Sequence, residues 1–172
     1  MPAKAATSST VSASDASHAA QADVLAPQAE ALIRGVGARL TTSRSAVLSL
    51  LLSADHAMTH QEITDALATT LAVDRVTIYR VLEWLVEQGL AHRIAQDDRV
   101  WRFSVSRVDA SKHAAAKHDH QHAHFSCKQC GQTFCLDSVP AKVSVKLPAG
   151  YRSEEVELTI RGVCENCGEH AR

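Results

Sequence analysis

The segments CKQCG at 127–131 and CENCG at 164–168 repeat one pattern whose chemistry is specific. A CxxC turn aims two sulfurs at one centre. The glycine that follows can take the positive φ that lets backbone N–H groups reach those sulfurs. Together Cys127, Cys130, Cys164 and Cys167 offer four thiolates, the set that suits tetrahedral zinc, with redox or iron–sulfur chemistry as the alternative. Four thiolates close the coordination shell, so the expectation is a site that holds structure and neither catalyses nor senses.

Just ahead of the first pair the chain reads KHDHQHAHFSC, with a histidine at every second position from His118 to His124. In an extended strand His122 and His124 share one face, while Ala123 and Phe125 take the other. The plainer reading is a solvated His-rich tract that binds metal only adventitiously. Cys135 stands on the strand that should pair with the histidines, although a free cysteine on a strand is more often a small buried apolar residue than a ligand. His92 belongs to a different segment, where a surface histidine is the ordinary expectation. If it joins His122, His124 and Cys135, one metal bridges two parts of the chain and becomes a switch.

The elements that must position these groups are legible in outline. Leu32, Ile33, Val36 and Leu40 recur at helical spacing after Pro27, though Gly35 and Gly37 weaken that helix. Ser43 is a plausible N-cap for a second, heavily apolar helix through Val47, Leu48, Leu50, Leu51 and Leu52. THQE at 59–62 has capping-box spacing, with Ile63, Ala66, Leu67 and Leu71 as its buried stripe. Asp74 then caps RVTIYRVLEWLVEQ, whose Val76, Tyr79, Val81, Leu82, Leu85 and Val86 are expected to face inward, and Gly89 ends it. LAHRIAQ and RVWRFSV alternate with period two around a turn near Asp97 and Asp98, a β-hairpin.

Helices followed by a hairpin give the order of a winged helix-turn-helix. Residues 106–118 read as a linker, 119–172 as a second small α+β unit, and 1–24, rich in Ala, Ser and Thr, as a tail. The second unit is expected to hold strands near 122–126 and 132–136, a short helix after Asp137, and a strand near 155–163. The fold class is therefore α+β, with a winged-helix domain over 25–105.

The 172 residues suffice for a buried core, and no apolar run is long enough to span a bilayer. Five cysteines without a recognisable export signal predict reduced thiolates and a cytoplasmic protein that binds metal. Net charge is −1, so charge alone would not nominate a nucleic-acid binder.

DRVTIYRVLEWLVEQGL, HAHFSCKQCG and CENCG, in that order, resemble the ferric uptake regulator family of metal-dependent repressors over roughly residues 27–170. The resemblance implies a winged-helix DNA-binding domain, a hinge, and a C-terminal dimerisation domain holding the four-cysteine zinc. It implies that Thr77 and Tyr79 approach bases in the major groove, that Arg44 and Arg80 meet phosphates, and that Arg39 reaches a minor groove. Arg75 is counted with this DNA-facing set. The partner would be a palindromic, A·T-rich double-stranded DNA, bound by a homodimer.

The resemblance also implies a sensing site around His122 and His124, with His92 and, in the place of a more usual acidic ligand, Cys135. Three histidines and a thiolate suit zinc, which points to the zinc-responsive branch and to control of zinc uptake, with one structural and one regulatory zinc per subunit. Some members have a further site using residues that alternate with the histidines; Gln121 and Ala123 serve it poorly, so it is expected to be absent. Iron and peroxide sensors carry a histidine where this chain has Ala57, with His56 one position off, which keeps an iron- or peroxide-responsive member open. Two other classes compete: a metal hydrolase, which lacks a placed general base here, and a zinc-buffering protein for which the histidine tract is the point and the TIYR helix is only core.

Overall fold

Apolar residues at helical spacing do most of the work of the N-terminal unit. The computed structural model describes residues 13–96, 98–105, 122–140, 146–152 and 156–169. Helix α1 (Ala13–Gly35) runs straight through Pro27. It begins inside the segment expected to be a tail: alanine is the strongest helix former, and an Ala-rich stretch without an apolar stripe looks like low complexity in the sequence. Ala29 and Ile33 on α1 are fully buried against α2 (Thr42–Ser53), which contributes Val47, Leu48, Leu50 and Leu51. The N-cap of α2 is Thr41, two residues before the expected Ser43, and its side chain accepts from the Arg44 N–H at 3.3 Å.

A two-residue strand, β1 (Met58–Thr59), precedes α3 (His60–Leu67) and leaves no periodicity to detect. The capping box of α3 forms as expected: Thr59 Oγ1 accepts from the Glu62 N–H at 3.2 Å, and Glu62 Oε2 accepts from the Thr59 N–H at 2.6 Å. Helix α4 (Arg75–Glu87) is capped by Asp74, which accepts from the Thr77 hydroxyl at 2.7 Å and the Thr77 N–H at 2.9 Å. Those two bonds, the hydroxyl first, hold the Asp74 carboxyl below its ordinary range.

The inward face of α4 differs from the expected one. Ile78, Val81, Leu82 and Leu85 are buried, a set at i, i+3, i+4 and i+7, whereas Val76 is 59% and Tyr79 49% exposed. Gly89 closes the helix at φ 68°.

The expected hairpin is present as β2 (His92–Ile94) and β3 (Arg102–Ser104), antiparallel, with His92 opposite Ser104. Strand β1 adds to its other edge, giving the order β1-β3-β2. Asp98 holds the connection through Arg102 at 2.8 Å, while Asp97 lies outside the described residues. Phe103 is buried beneath this small sheet.

The second sheet has the order β5-β4-β6. Strand β4 (His122–Cys127) pairs antiparallel with β5 (Thr133–Pro140) and parallel with β6 (Leu158–Gly162). Where a helix was expected after Asp137, β5 continues to Pro140; residues 141–145, where such a helix would go on, lie outside the described residues. A five-residue helix, α5 (Glu165–Glu169), follows β6. Gly162 sits where a Cβ would come 3.0 Å from the Phe125 ring, so the close approach of β6 to β4 needs glycine there. The expected linker at 106–118, with His113 and His118, and the neighbouring His120 lie outside the described residues.

Thr59→Ala removes one half of the α3 capping box and is expected to cost about 1 kcal/mol of stability. Urea denaturation should show the midpoint falling with an unchanged slope.

Candidate metal centres

Two groups of ligand atoms converge among the described residues, and each follows from the pairing of strands. The four-cysteine group lies at one end of the second sheet. Cys127 ends β4, Cys130 sits in the turn to β5, and Cys164 and Cys167 follow β6. Because β6 runs parallel beside β4 with Gly162 opposite Cys127, the two CxxC segments emerge side by side.

Their four sulfurs lie within 4.8 Å of one another, and Cys130 and Cys164 are 3.8 Å apart. A tetrahedron with metal–sulfur bonds of about 2.3 Å has edges of about 3.8 Å, so the spacing fits zinc. The Cys164 N–H donates to Cys127 Sγ at 3.3 Å. Gly131 takes the expected positive φ, 75°, whereas Gly168 is part of α5, where its N–H donates to the Cys164 carbonyl.

Thiols of this cluster oppose one another's ionisation. Backbone N–H groups, that of Cys130 first and that of Cys164 next, bring the Cys127 thiol down to about 6. The hydrogen bond with Cys164, followed by burial, pushes Cys167 up to about 12, and burial raises Cys130. One thiolate forms readily and the next are opposed, the electrostatic condition that a divalent cation removes.

The second group joins the two sheets. His92 on β2, His124 on β4 and Cys135 on β5 place their ligand atoms within 4.8 Å of one another. His92 Nε2 lies 3.4 Å from His124 Nε2 and 3.4 Å from Cys135 Sγ. With metal–nitrogen bonds of about 2.0–2.1 Å and a metal–sulfur bond of about 2.3 Å, a tetrahedral edge is about 3.4 Å between two nitrogens and about 3.6 Å between nitrogen and sulfur, so both contacts are close to the size zinc requires. His124 and Cys135 face each other across β4 and β5, as His92 and Ser104 do across β2 and β3. Thus an opposed pair from the wing meets an opposed pair from the second sheet.

His92 is 5% exposed, against the surface histidine that its place in a hairpin suggests, and His124 is equally buried. Ser104, absent from the sequence expectations, accepts from the Cys135 thiol, Sγ to Oγ 3.2 Å, and its hydroxyl can turn to donate once that sulfur loses its proton on binding a metal. Its signal was available: it lies opposite His92 once the hairpin register is fixed. The His122 side chain lies outside the described residues. His56 is not in the cluster. Its Nδ1 is 2.7 Å from Asp55 Oδ1 and its ring is 6.4 Å from that of Phe134.

The expected DNA-facing residues divide. Arg75, Tyr79 and Arg80 project from the exposed side of α4, and Arg39 is exposed in the loop before α2. Arg44 is engaged within the protein, stacked 3.8 Å over the Trp84 ring while Nη1 donates to the Arg39 carbonyl at 2.8 Å. The Thr77 hydroxyl is committed to Asp74. Arg93, on the wing, lies 4.8 Å over Trp101.

A winged helix-turn-helix joined to a small sheet with a four-sulfur cluster, and a second ligand cluster between the two, is the architecture of a metal-responsive DNA-binding protein. The family model of the ferric uptake regulator family matches residues 35–161, and this chain belongs to that family of regulators. The peroxide-responsive repressor PerR of Staphylococcus aureus is 28% identical over 141 residues, covering 80% of this chain and 87% of the relative. Among solved structures, a zinc uptake regulator complexed with zinc and DNA has a TM-score of 0.61 at 22% identity, over 87% of this chain and 97% of that one. The ferric uptake regulator of Helicobacter pylori, described as having three functional metal-binding sites, gives 0.52 at 16% identity, over 86% and 93%. No described helix is long and apolar enough to cross a membrane.

Cys164→Ser is expected to remove one zinc per chain and to cost more than the ~0.5–3 kcal/mol of an ordinary substitution. Metal analysis after gel filtration, together with a thermal melt, checks both.

Proposed function

We propose that this chain is a homodimeric, zinc-responsive repressor of zinc uptake genes whose switch is a site formed by His92, His122, His124 and Cys135. The observation that carries the reading is the convergence of His92, His124 and Cys135, drawn from two sheets, with His92 Nε2 3.4 Å from both partners and all three ligand atoms within 4.8 Å of one another. Zinc bound there supplies bonds between wing and sheet. A ligand that fits only the joined arrangement shifts the population toward it. His92 carries the wing's share of the shell and His124 and Cys135 the sheet's, with His122 as the fourth member. Imidazoles with one thiolate suit zinc better than the harder donors preferred by iron.

In this reading Cys127, Cys130, Cys164 and Cys167 hold a second, structural zinc, so each subunit carries two. The DNA-binding domain spans 25–105, a hinge 106–118, and the dimerisation domain 119–172. Two α4 helices in a dimer enter successive major grooves of a palindromic, A·T-rich operator, where Tyr79 meets bases, Thr77 approaches them with its methyl group while its hydroxyl stays on Asp74, and Arg75 and Arg80 meet the backbone. Arg39 reaches a minor groove. Arg44, stacked on Trp84, keeps free N–H donors beyond the one given to Arg39 and contacts phosphate from that fixed position.

The similarity to a peroxide-responsive repressor supports a second reading, the same fold sensing iron or peroxide with His56 in the shell. The position of His56, against Asp55 and outside the three-ligand cluster, favours zinc.

Fluorescence anisotropy with an operator duplex, at fixed salt and buffered free metal, tests the proposal. His92→Ala should abolish a zinc-dependent gain of about 5- to 150-fold in DNA affinity and leave the four-cysteine zinc bound. Loss of folding or of dimerisation would count against the assignment. Cys135→Ser should cripple the response to zinc; an intact response to iron(II) with none to zinc in the unmodified protein would install the second reading.

A further inference from the structure

One face of the second sheet carries more than metal ligands. Side chains alternate along a strand, so the face that presents His124 on β4 also presents Ser126, and the face that presents Cys135 on β5 also presents Thr133. Ser126 and Thr133 are themselves an opposed pair, adjacent to the His124–Cys135 pair. On the wing, His92, Ile94 and Gln96 follow at intervals of two. Gln96 is thereby brought to the polar pair as His92 is brought to the ligand pair.

The contacts are direct. Gln96 Nε2 donates to Ser126 Oγ at 3.2 Å and to Thr133 Oγ1. Thr133 is completely buried, and its carbonyl accepts from the Ala57 N–H at 2.7 Å in an antiparallel bridge to the segment just before β1. The N-terminal unit thus grips Thr133 twice, by its backbone through Ala57 and by its side chain through Gln96. An amide, two hydroxyls and two peptide groups make these contacts, and none of them is a ligand atom of the cluster.

We propose that Gln96, Thr133 and the Ala57 peptide form a latch that docks the wing on the second sheet without metal and thereby sets the free zinc concentration at which the switch responds. The inference rests on the zinc-responsive reading for its biological meaning and on the observed contacts for its mechanism. The apparent metal affinity is the intrinsic affinity multiplied by the fraction of molecules in the docked arrangement, so whatever raises that fraction lowers the zinc needed. Gln96 and Thr133 are positioning residues. They touch no ligand atom of the cluster.

The test uses full-length protein with the four-cysteine zinc in place, and reads zinc uptake at the His92 site by competition with a chelator, in parallel with operator binding. Gln96→Leu, which removes both side-chain bonds, is expected to raise the half-saturating free zinc about threefold or more. Thr133→Val should act in the same direction. Thr133→Ser, which keeps the hydroxyl, should stay near the unmodified protein. DNA affinity at saturating zinc should be unchanged throughout.

Equal zinc midpoints for Gln96→Leu and the unmodified protein would overturn the latch. So would a loss of DNA affinity that saturating zinc does not restore, since that marks a general defect of folding. If zinc fills the site without changing DNA affinity, the repressor reading fails while the zinc midpoints still decide the latch. Should no second zinc bind at all, the claim that the latch sets a zinc midpoint is overturned, and hydrogen exchange at the Ala57 amide decides the docking alone: faster exchange in Gln96→Leu supports it, and an equal rate overturns it.

Discussion

Strand alternation is the constraint on which the rest of this protein depends. A side chain every second residue on one face, combined with fixed opposition across a ladder, leaves little freedom once register is set. His124 faces Cys135 and His92 faces Ser104 for that reason alone. A slip of one residue in β2, β4 or β5 would send a ligand to the opposite face. Packing therefore has to guard register. Phe103 buried under the wing and Gly162 admitting the Phe125 ring on the second sheet are the residues that do so most visibly.

The two ligand clusters divide the labour that one metal could not perform. The sulfurs of Cys127, Cys130, Cys164 and Cys167 all belong to the second sheet and its flanks, so a cation among them ties a unit to itself. Such a tie can be permanent without costing responsiveness. His92, His124 and Cys135 come from two sheets, so their separation depends on how those sheets sit together. That dependence is the requirement for coupling between metal and a distant surface.

Much of this was legible in the sequence because it rests on short-range rules. Capping by Thr59 and Asp74 follows from local hydrogen bonding, the hairpin from period two, and the four-sulfur cluster from repeated spacing. The failures share a different cause. Val76 and Tyr79 are apolar enough to be taken for core, yet α4 can bury only one stripe, and Ile78 sets its direction. The α1 residues before Pro27 have helix propensity without amphipathic pattern, so they resembled a tail. Strand β1 is too short to show any period. The burial of His92 and the partners of Gln96 depend on the docking of one sheet on another, and no local signal encodes that; Ser104 could have been found from the hairpin register, which sets it opposite His92.

The stacking of Arg44 on Trp84 and of Arg93 on Trp101 has an optical corollary. The chain has only two tryptophans, and each lies beneath a guanidinium, one at the start of α2 and one on the wing. A cation over the indole face alters the energy of its excited state, and its withdrawal toward another anion reverses the change. The protein thus carries two indigenous chromophores, Trp84 on α4 itself and Trp101 on the wing, and its emission spectrum registers where those two arginines are resting.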